Sequence, residues 1–195
     1  MLDEERGRVG RPRSERARAA VLHAVDDLLL EVGYAAMTMK GIAEKAGVGR
    51  QTVYRWWSTK AEILFEASAA DASHELAIDA TGDALDDLTS YVEALVRFLT
   101  QSPAGAAYRA LLGEAQHDSA VADLLASKDI LGDSARAVVE RVVRDTAAIP
   151  VDLATALLIG PTFFWIASGR DPARLVAREL AETFLRELQD RHQTT

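Results

Sequence analysis

The stretch 38–60, TMKGIAEKAGVGRQTVYRWWSTK, constrains the fold more than any other part of the chain. Thr38 is a favourable N-cap for a short helix, because its hydroxyl can accept a hydrogen bond from an N–H of the first turn. Gly47 ends that helix, and a second short helix is predicted from Gly49 to about Trp57. Two short helices joined by a glycine-containing turn are typical of a helix-turn-helix unit.

The second short helix separates an apolar face from a polar one. At about 100° per residue, Val53 and Trp57 fall on one side, and Gln51 and Arg55 point almost opposite to them. The flanks of the polar side carry Arg50, Tyr54 and Thr52. A helix this short is not stable alone, so we predict that it packs through its apolar face and presents the polar one to a partner. The major groove of DNA suits such a face.

The residues AGVGRQTVYRWWSTKAEIL, which begin at Ala46, resemble the recognition helix and the start of the following helix in the TetR family of bacterial transcription regulators. The matching positions are Ala46, Gly47, Val48, Gly49, Thr52, Val53, Tyr54, Trp56, Trp57 and Lys60, with Gly33, Tyr34, Thr38, Ile42 and Ala43 upstream. The resemblance is strong over about residues 14–66. It departs from the family pattern at Gly49, where a serine cap is usual, and at Ser58, where close relatives often carry proline.

The helix orientation and the resemblance together predict the residues that contact DNA. Arg55 and Gln51 are the expected base readers, because arginine bonds bidentately to guanine and glutamine to adenine. Arg50 reaches a base or a phosphate. The resemblance places Thr52, Tyr54, Trp56 and Lys60 near the DNA backbone, and Thr38 adds a phosphate contact from the start of its helix.

The charge distribution supports a nucleic-acid partner for the first part of the chain. Residues 1–60 hold 11 Lys and Arg against 8 Asp and Glu, a net charge of +3, whereas residues 61–195 hold 11 against 22, a net charge of −11. Such asymmetry is typical of proteins in which one part binds nucleic acid. Arg11 and Arg13 belong to a basic arm that either reaches phosphate or the minor groove or makes no defined contact.

Composition excludes several other classes of protein. The chain has 195 residues, of which 49% are hydrophobic and 27% charged, as in ordinary globular proteins. It has no cysteine, which excludes disulfides and cysteine-based zinc sites. The longest apolar run, 153–167, contains Gly160 and Pro161 and is shorter than the roughly 20 residues that span a bilayer. With no apolar region at its N-terminus, the chain is predicted to be cytoplasmic and to contact no membrane.

Helical periodicity continues to the end of the chain and predicts an all-α fold of about nine helices. A first helix is capped by Ser14 and ended by Gly33, and a fourth begins near Lys60. The later helices are expected at 85–99, 103–117, 121–146 (with a break near Leu131 and Gly132), 150–168 and 172–192. We predict a basic arm and three-helix DNA-binding domain over residues 1–60, and a larger C-terminal helical domain for effector binding and dimerisation over residues 61–195.

The resemblance implies a small-molecule pocket in the C-terminal domain. The candidate lining residues are Tyr91, Phe98, Tyr108, Leu112, Gln116, His117, Arg141, Phe163, Phe164 and Trp165. Each aromatic taken singly is as readily explained as core. Glu114 and His117 have the spacing of a di-iron helix pair, but their only comparable counterpart is Asp71 with His74, so no metal or other cofactor is predicted.

The last two predicted helices are candidates for a homodimer interface. Their apolar residues Leu157, Phe164, Leu180, Phe184 and Leu188 form either this interface or part of the core of one subunit. The resemblance implies a regulator with no enzymatic activity, most often a repressor that binds a palindromic double-stranded DNA operator and is released by a small-molecule effector. An activator, a ligand-independent regulator and a metal-binding protein built on Glu114 and His117 remain the alternatives.

Overall fold

The computed structural model describes residues 10–143 and 149–193, with side chains for residues 14–142 and 149–190. All the regular secondary structure in these residues is helical, which confirms the predicted all-α fold. The α-helices are α1 Gly10–Ala36, α2 Met39–Lys45, α3 Arg50–Tyr54, α4 Lys60–Glu75, α5 Ala84–Gln101, α6 Pro103–Glu114, α7 Ser119–Ala126, α8 Ile130–Val143, α9 Val151–Ala167 and α10 Ala177–Gln193, with a single 3₁₀ turn Pro172–Arg174 before α10. No helix in these ranges combines the length and apolar character needed to cross a bilayer.

The start of α1 differs from the sequence prediction. The helix begins at Gly10, four residues before the predicted cap Ser14. Pro12 is compatible with this earlier start, because the N–H groups of a first helical turn have no intrahelical partner to lose. Gly33, predicted as the end of the helix, has a φ of 75° and interrupts it there.

Two predicted helices are divided in the structure. The predicted helix 121–146 is split into α7 and α8 at residues 127–129, slightly before the predicted break, because the Asp129 carboxylate accepts a hydrogen bond from the Gly132 N–H at 2.9 Å and caps a new helix. Its predicted end, at 144–146, lies outside the described residues. Pro172 starts a separate 3₁₀ turn, and the last α-helix follows at Ala177.

The first of two hydrophobic cores holds the helix-turn-helix unit together. It buries Val21 and Val25 of α1, Ile42 of α2 and Val53 of α3. The first half of α4 contributes Ala61, Ile63, Leu64 and Ala67 to the same core, and α6 and α7 add Ala107, Leu111 and Val121. Side chains from both sides of residue 60 therefore share this core.

The second core is centred on α5, whose apolar stripe was clear in the sequence. Leu88, Val92, Leu95 and Leu99 are completely buried, as their spacing predicts. Helices α6, α8, α9 and α10 pack against α5, and α4 touches it as well. Complete burial of each leucine or valine side chain stabilises the fold by roughly 1.5–3 kcal/mol before conformational entropy is subtracted.

A half-buried carboxylate lies where α1 packs against α4. Asp26 Oδ1 is buried, and no group in the described part of the chain donates a hydrogen bond to it. Burial raises the pKa of Asp26 to about 6, with further raising by Asp71 and Asp27 and partial lowering by His23. The charged form of Asp26 is therefore disfavoured in the folded state.

We expect Asp26→Asn to stabilise the fold at neutral pH. Because the pKa of Asp26 is higher in the folded chain, the folded state binds more protons than the unfolded one between about pH 4 and pH 6, and stability falls as pH rises through this window. The gain from Asp26→Asn should be about 1 kcal/mol above pH 6, after allowance for solvent screening, and should vanish near pH 4. Urea unfolding above pH 6 and near pH 4 measures this gain in stability, with the exposed Asp79→Asn as control. An equal gain at both pH values would contradict the expectation.

Candidate nucleic-acid interface

Helix α2 is fixed to α1 before α3 begins. The Thr38 hydroxyl accepts a hydrogen bond from the Gly41 N–H at 3.0 Å and caps α2, as its sequence position predicts. Near the other end, the Lys45 ammonium pairs with the carboxylates of Glu31 and Asp27 on α1. The phosphate contact predicted for Thr38 stays a prediction.

The turn between α2 and α3 depends on glycine. Gly47 has a φ of 66°, in the left-handed region that side chains with a Cβ rarely adopt. The next N–H, of Val48, then donates to the Ala43 carbonyl at 3.0 Å and closes the end of α2. The half-buried Val48 packs against the first core, which fixes the direction in which α3 leaves the turn.

Helix α3 presents the two faces that the sequence predicts. Val53 is completely buried and Trp57, just beyond the helix, is 4% exposed. The opposite side carries exposed polar side chains: Arg50, Gln51, Arg55 and Tyr54, of which Tyr54 is 55% exposed. Thr52 is half-buried. An arginine- and amide-bearing face that no other part of the described chain covers has the chemistry required to contact base edges and phosphates.

Aromatic rings support the end of this face. The Arg55 guanidinium lies 4.8 Å from the centroid of the Trp56 ring, in cation–π contact. Trp56 in turn meets the Trp57 ring edge-on, with centroids 5.4 Å apart. This stacking restricts the orientation of the guanidinium before any partner binds.

A network that the sequence did not reveal fixes Trp57. Its indole N–H donates to Glu66 Oε2 at 2.9 Å, and Glu66 Oε1 pairs with the Arg18 guanidinium at 2.7 Å. Arg18 belongs to α1, Trp57 lies just beyond α3, and Glu66 belongs to α4. Their separation in sequence gives no signal of the contact. The network holds the exposed face of α3 at a fixed angle to both neighbouring helices.

Lys60 is half-buried, and its ammonium is hydrogen-bonded to the protein backbone. Its ammonium donates to the carbonyls of Tyr34 at 2.6 Å and Met37 at 3.1 Å, and it lies 4.1 Å from the centroid of the Tyr34 ring. Lys60 therefore ties the start of α4 to the end of α1. Burial, with the nearby carboxylates of Glu114 and Asp118, raises the pKa of Tyr34 to about 12, so its hydroxyl stays neutral. A phosphate contact by Lys60 stays a prediction, and the side chains of Arg11 and Arg13 lie outside the described residues.

The predicted pocket residues are spread over several places. Tyr108, Leu112 and Phe163 line a cavity of about 310 Å³ between α6, α8 and α9. Arg141 lines a second cavity, of about 400 Å³, between α4 and α8. The other six lie elsewhere: Tyr91 and Phe98 are completely buried in the second core, Gln116 and His117 are exposed after α6, and Phe164 and Trp165 lie beside Arg170.

The predicted dimer residues fall into two groups. Phe164 is 62% exposed and Leu157 39% exposed on α9, so both are available to a partner. Phe184 and Leu188 of α10 are buried in the second core, and Leu180 packs against its edge. Their place in α10 therefore matches the alternative account, burial within one subunit.

Metal ligation finds little support in the described residues. No group of three or more histidine, aspartate or glutamate side chains there lies close enough together to hold a metal ion. Glu114 and His117 are placed at the end of α6 and in the turn after it, at the protein surface.

Two family models match the chain. One, described as bacterial regulatory proteins of the tetR family, matches residues 21–67, which run from α1 into α4. The other, described as a tetracyclin repressor-like C-terminal domain, matches residues 78–187, more than half of the chain.

Individual proteins show the same similarity. The uncharacterized HTH-type transcriptional regulator YdeS of Bacillus subtilis is 40% identical over 58% of this chain and 57% of its own length. The DNA-binding transcriptional repressor TetR of Mycobacteroides abscessus is 31% identical over 58% of this chain and 60% of its own length. The chain thus spans less than two thirds of either relative. The crystal structure of the TetR family transcription regulator SCO0332 is similar with a TM-score of 0.67 and 28% identity, over 87% of this chain and 97% of that one.

Proposed function

This chain belongs to the TetR family of bacterial regulatory proteins, and from that premise we propose that it represses transcription as a homodimer on a palindromic DNA operator. It acts as a DNA-binding regulator and not as an enzyme. The observation that carries the proposal is the exposed polar face of α3, with Gln51 and Arg55 outward and Val53 buried behind them. A single such face reads only half of a palindrome, so two copies are required.

Exposed apolar side chains on α9 support the homodimer. Leu153, Leu157 and Phe164 are 45%, 39% and 62% exposed. Contact with a second copy would remove these apolar side chains from water. A cavity of about 150 Å³ beside them is lined by both α9 and α10, with Pro161 and Leu180 on its walls. We place the two-fold contact on this surface.

The position of α4 supports our proposal that a small-molecule effector releases the operator. The first half of this helix is buried in the core of the DNA-binding unit, and its second half lines the cavity of about 400 Å³ against α8. An effector that separates α4 from α8 would move a helix that shares the first core with α3 and is hydrogen-bonded to Trp57 through Glu66. By linkage, operator and effector then weaken each other's binding by the same factor. We likewise propose two domains, residues 1–60 and 61–195, connected through α4.

Selection from a random pool of DNA duplexes tests this proposal. We expect enrichment of a palindrome, with two chains bound per duplex and half-sites about 34–36 Å apart or a multiple of this. If about six phosphates are neutralised, the logarithm of affinity should fall with the logarithm of salt concentration at a slope near −5. Arg97→Ala, on the exposed side of α5, is the control that should bind normally. Enrichment of no sequence, or binding by single chains, would refute the proposal.

Arg55 is expected to carry base preference. Arg55→Ala should cost roughly 1–3 kcal/mol of operator affinity and relax the preference at one base position. Arg55→Lys is the matched variant, because it keeps the charge but loses the bidentate geometry. It should retain the salt dependence and lose the base preference. Binding profiles of both variants against all single-base changes of the operator measure this, and an unchanged preference at every position would show that α3 docks in another orientation.

A further inference from the structure

We propose that the cavity between α4 and α8 binds an amphipathic organic anion, with Arg141 as the residue that recognises its carboxylate or other oxyanion. The inference rests on the proposed effector-responsive function and names its ligand class. The cavity, of about 400 Å³, falls within the size range of small-molecule sites.

Arg141 has hydrogen-bonding capacity that the protein does not use. Its Nε is buried, and no acceptor for it exists among the described residues. Among the described residues, the carboxylate paired with Arg141 is that of Asp87, whose Oδ2 lies 3.5 Å from Arg141 Nη2. Asp87 Oδ1 already accepts two hydrogen bonds of 2.8 Å from the backbone N–H and the hydroxyl of Thr81. Asp87 is therefore hydrogen-bonded mainly to the loop before α5, and it pairs with only one nitrogen of the Arg141 guanidinium.

The surroundings of Asp87 favour the charged form of its carboxylate. The hydrogen bond from the Thr81 backbone, more than any other influence, holds the pKa of Asp87 below its usual value despite burial. Arg141 therefore has one fixed counter-charge, 3.5 Å from its Nη2, and still lacks an acceptor at Nε among the described residues. A buried donor without an acceptor costs stability, and a ligand oxyanion placed beside it removes that cost.

The rest of the lining suits a molecule with one charged end and an apolar body. The charged groups are Lys128 and Arg141 against a single carboxylate, Asp133, within the described lining. Lys128 forms no salt bridge to any described residue, and Asp87, the partner of Arg141, lies outside the lining. A ligand in the cavity therefore meets two cationic side chains and one carboxylate, which suits an anionic end group. The apolar walls consist mainly of small and aliphatic side chains: Ala69, Ala72, Leu76, Ala77, Ile78, Ile130, Ala137 and Val138.

Among its described lining residues, the cavity between α6, α8 and α9 has no comparable donor without an acceptor. In the cavity of about 310 Å³, Arg136 forms an ion pair with Asp152 at 2.9 Å. The third charged group there, Asp129, accepts the capping hydrogen bond of α8 from Gly132. Its charged groups thus already have partners, so the cavity at Arg141 is the better site for an anion.

The probe for this site is sodium octanoate, compared with 1-octanol and octylamine of the same chain length. We expect octanoate, and neither of the others at equal concentration, to raise the Tm and to bind by calorimetry. It should also weaken binding to the selected operator. Equal or tighter binding of octylamine or octanol would overturn the assignment of an anion, as would the absence of octanoate binding at millimolar concentration.

Two variants test the location of the site. Arg141→Gln should weaken octanoate binding about tenfold to a hundredfold, the range expected when a charged hydrogen-bond donor is removed. Ala137→Trp fills the cavity from the exposed side of α8, leaves Arg141 and Asp87 in place, and should abolish binding even if Arg141→Gln folds poorly. Arg136→Gln, in the other cavity, is the matched control and should bind as the natural chain does. Octanoate binding unchanged in Ala137→Trp would overturn the location.

The outcomes separate this inference from the proposed function. A protein that selects a palindrome but binds octanoate in none of these assays keeps its regulatory role and loses the ligand class. Octanoate binding that depends on Arg141 and Ala137, in a protein that selects no DNA sequence, supports the ligand class and refutes the operator.

Discussion

Gly105→Ala is expected to lower the stability of this protein by about 3 kcal/mol or more, although alanine is the better helix former. A Cβ at Gly105 would lie 1.8 Å from the Phe98 carbonyl oxygen and 2.7 Å from its carbonyl carbon. Both atoms belong to the backbone of α5, which no side-chain rotation can move away. Helix α6 would have to shift from α5, and the packing of both cores would loosen because α6 contributes to each.

A second glycine on the same helix provides the control. A Cβ at Gly113 meets no atom within 4 Å, so Gly113→Ala should stabilise the protein by about 0.5–1 kcal/mol. The pair is measured by thermal unfolding at one protein concentration, since dimerisation would otherwise change Tm. For a chain of this size, the loss in Gly105→Ala corresponds to roughly 6–12 °C. Equal Tm values for the two variants would contradict the close approach of α5 and α6.

Trp57→Ala should destabilise the DNA-binding unit by roughly 3–5 kcal/mol, the usual cost of removing a large buried aromatic side chain. It also removes the indole donor to Glu66 and the edge-on partner of Trp56. We expect the orientation of α3 to be lost and operator binding with it. Helix α5, in the other core, should keep its protection.

Trp57→Phe separates packing from hydrogen bonding. Phenylalanine keeps most of the buried area but cannot donate to Glu66, which retains its ion pair with Arg18. This variant should lose about 1–2 kcal/mol and still bind the operator. Hydrogen exchange of α2 and α5 amides, read beside operator affinity, measures both variants. Loss of protection in α5 that equals the loss in α2 would show that the two cores unfold together.

The helical elements and the polar face of α3 could be predicted because they depend on local patterns. The spacing of Leu88, Val92, Leu95 and Leu99 fixes the buried side of α5 whatever packs against it. The faces of α3 follow in the same way from Val53 and Trp57. Thr38 and Thr59 cap α2 and α4, as residues of their type do at helix starts.

The remainder depends on contacts between distant residues. The hydrogen bonds of Lys60 reach carbonyls more than twenty residues earlier, and no periodicity predicts them. Tyr91 and Phe98 could have lined a pocket or filled the core, and only the packing of neighbouring helices decided for the core. The break before α8 was predicted, but its exact position depends on the cap that Asp129 provides, which propensity alone does not locate.

Helix α4 also sets how such a protein can be recombined. Its Ile63 and Leu64 are buried with the DNA-binding unit, whereas its Ala72, and Leu76 directly after the helix, are buried in the second core. A chimera joined at residue 60 would place a foreign α4 in the first core and leave mismatched side chains there. A donor head transferred with its own α4 as far as Ala67, and with complementary residues at Ala107, Leu111 and Val121 of the recipient, keeps that core intact. The unit that can be exchanged is therefore defined by the residues that share the first core, and not by a continuous segment of sequence.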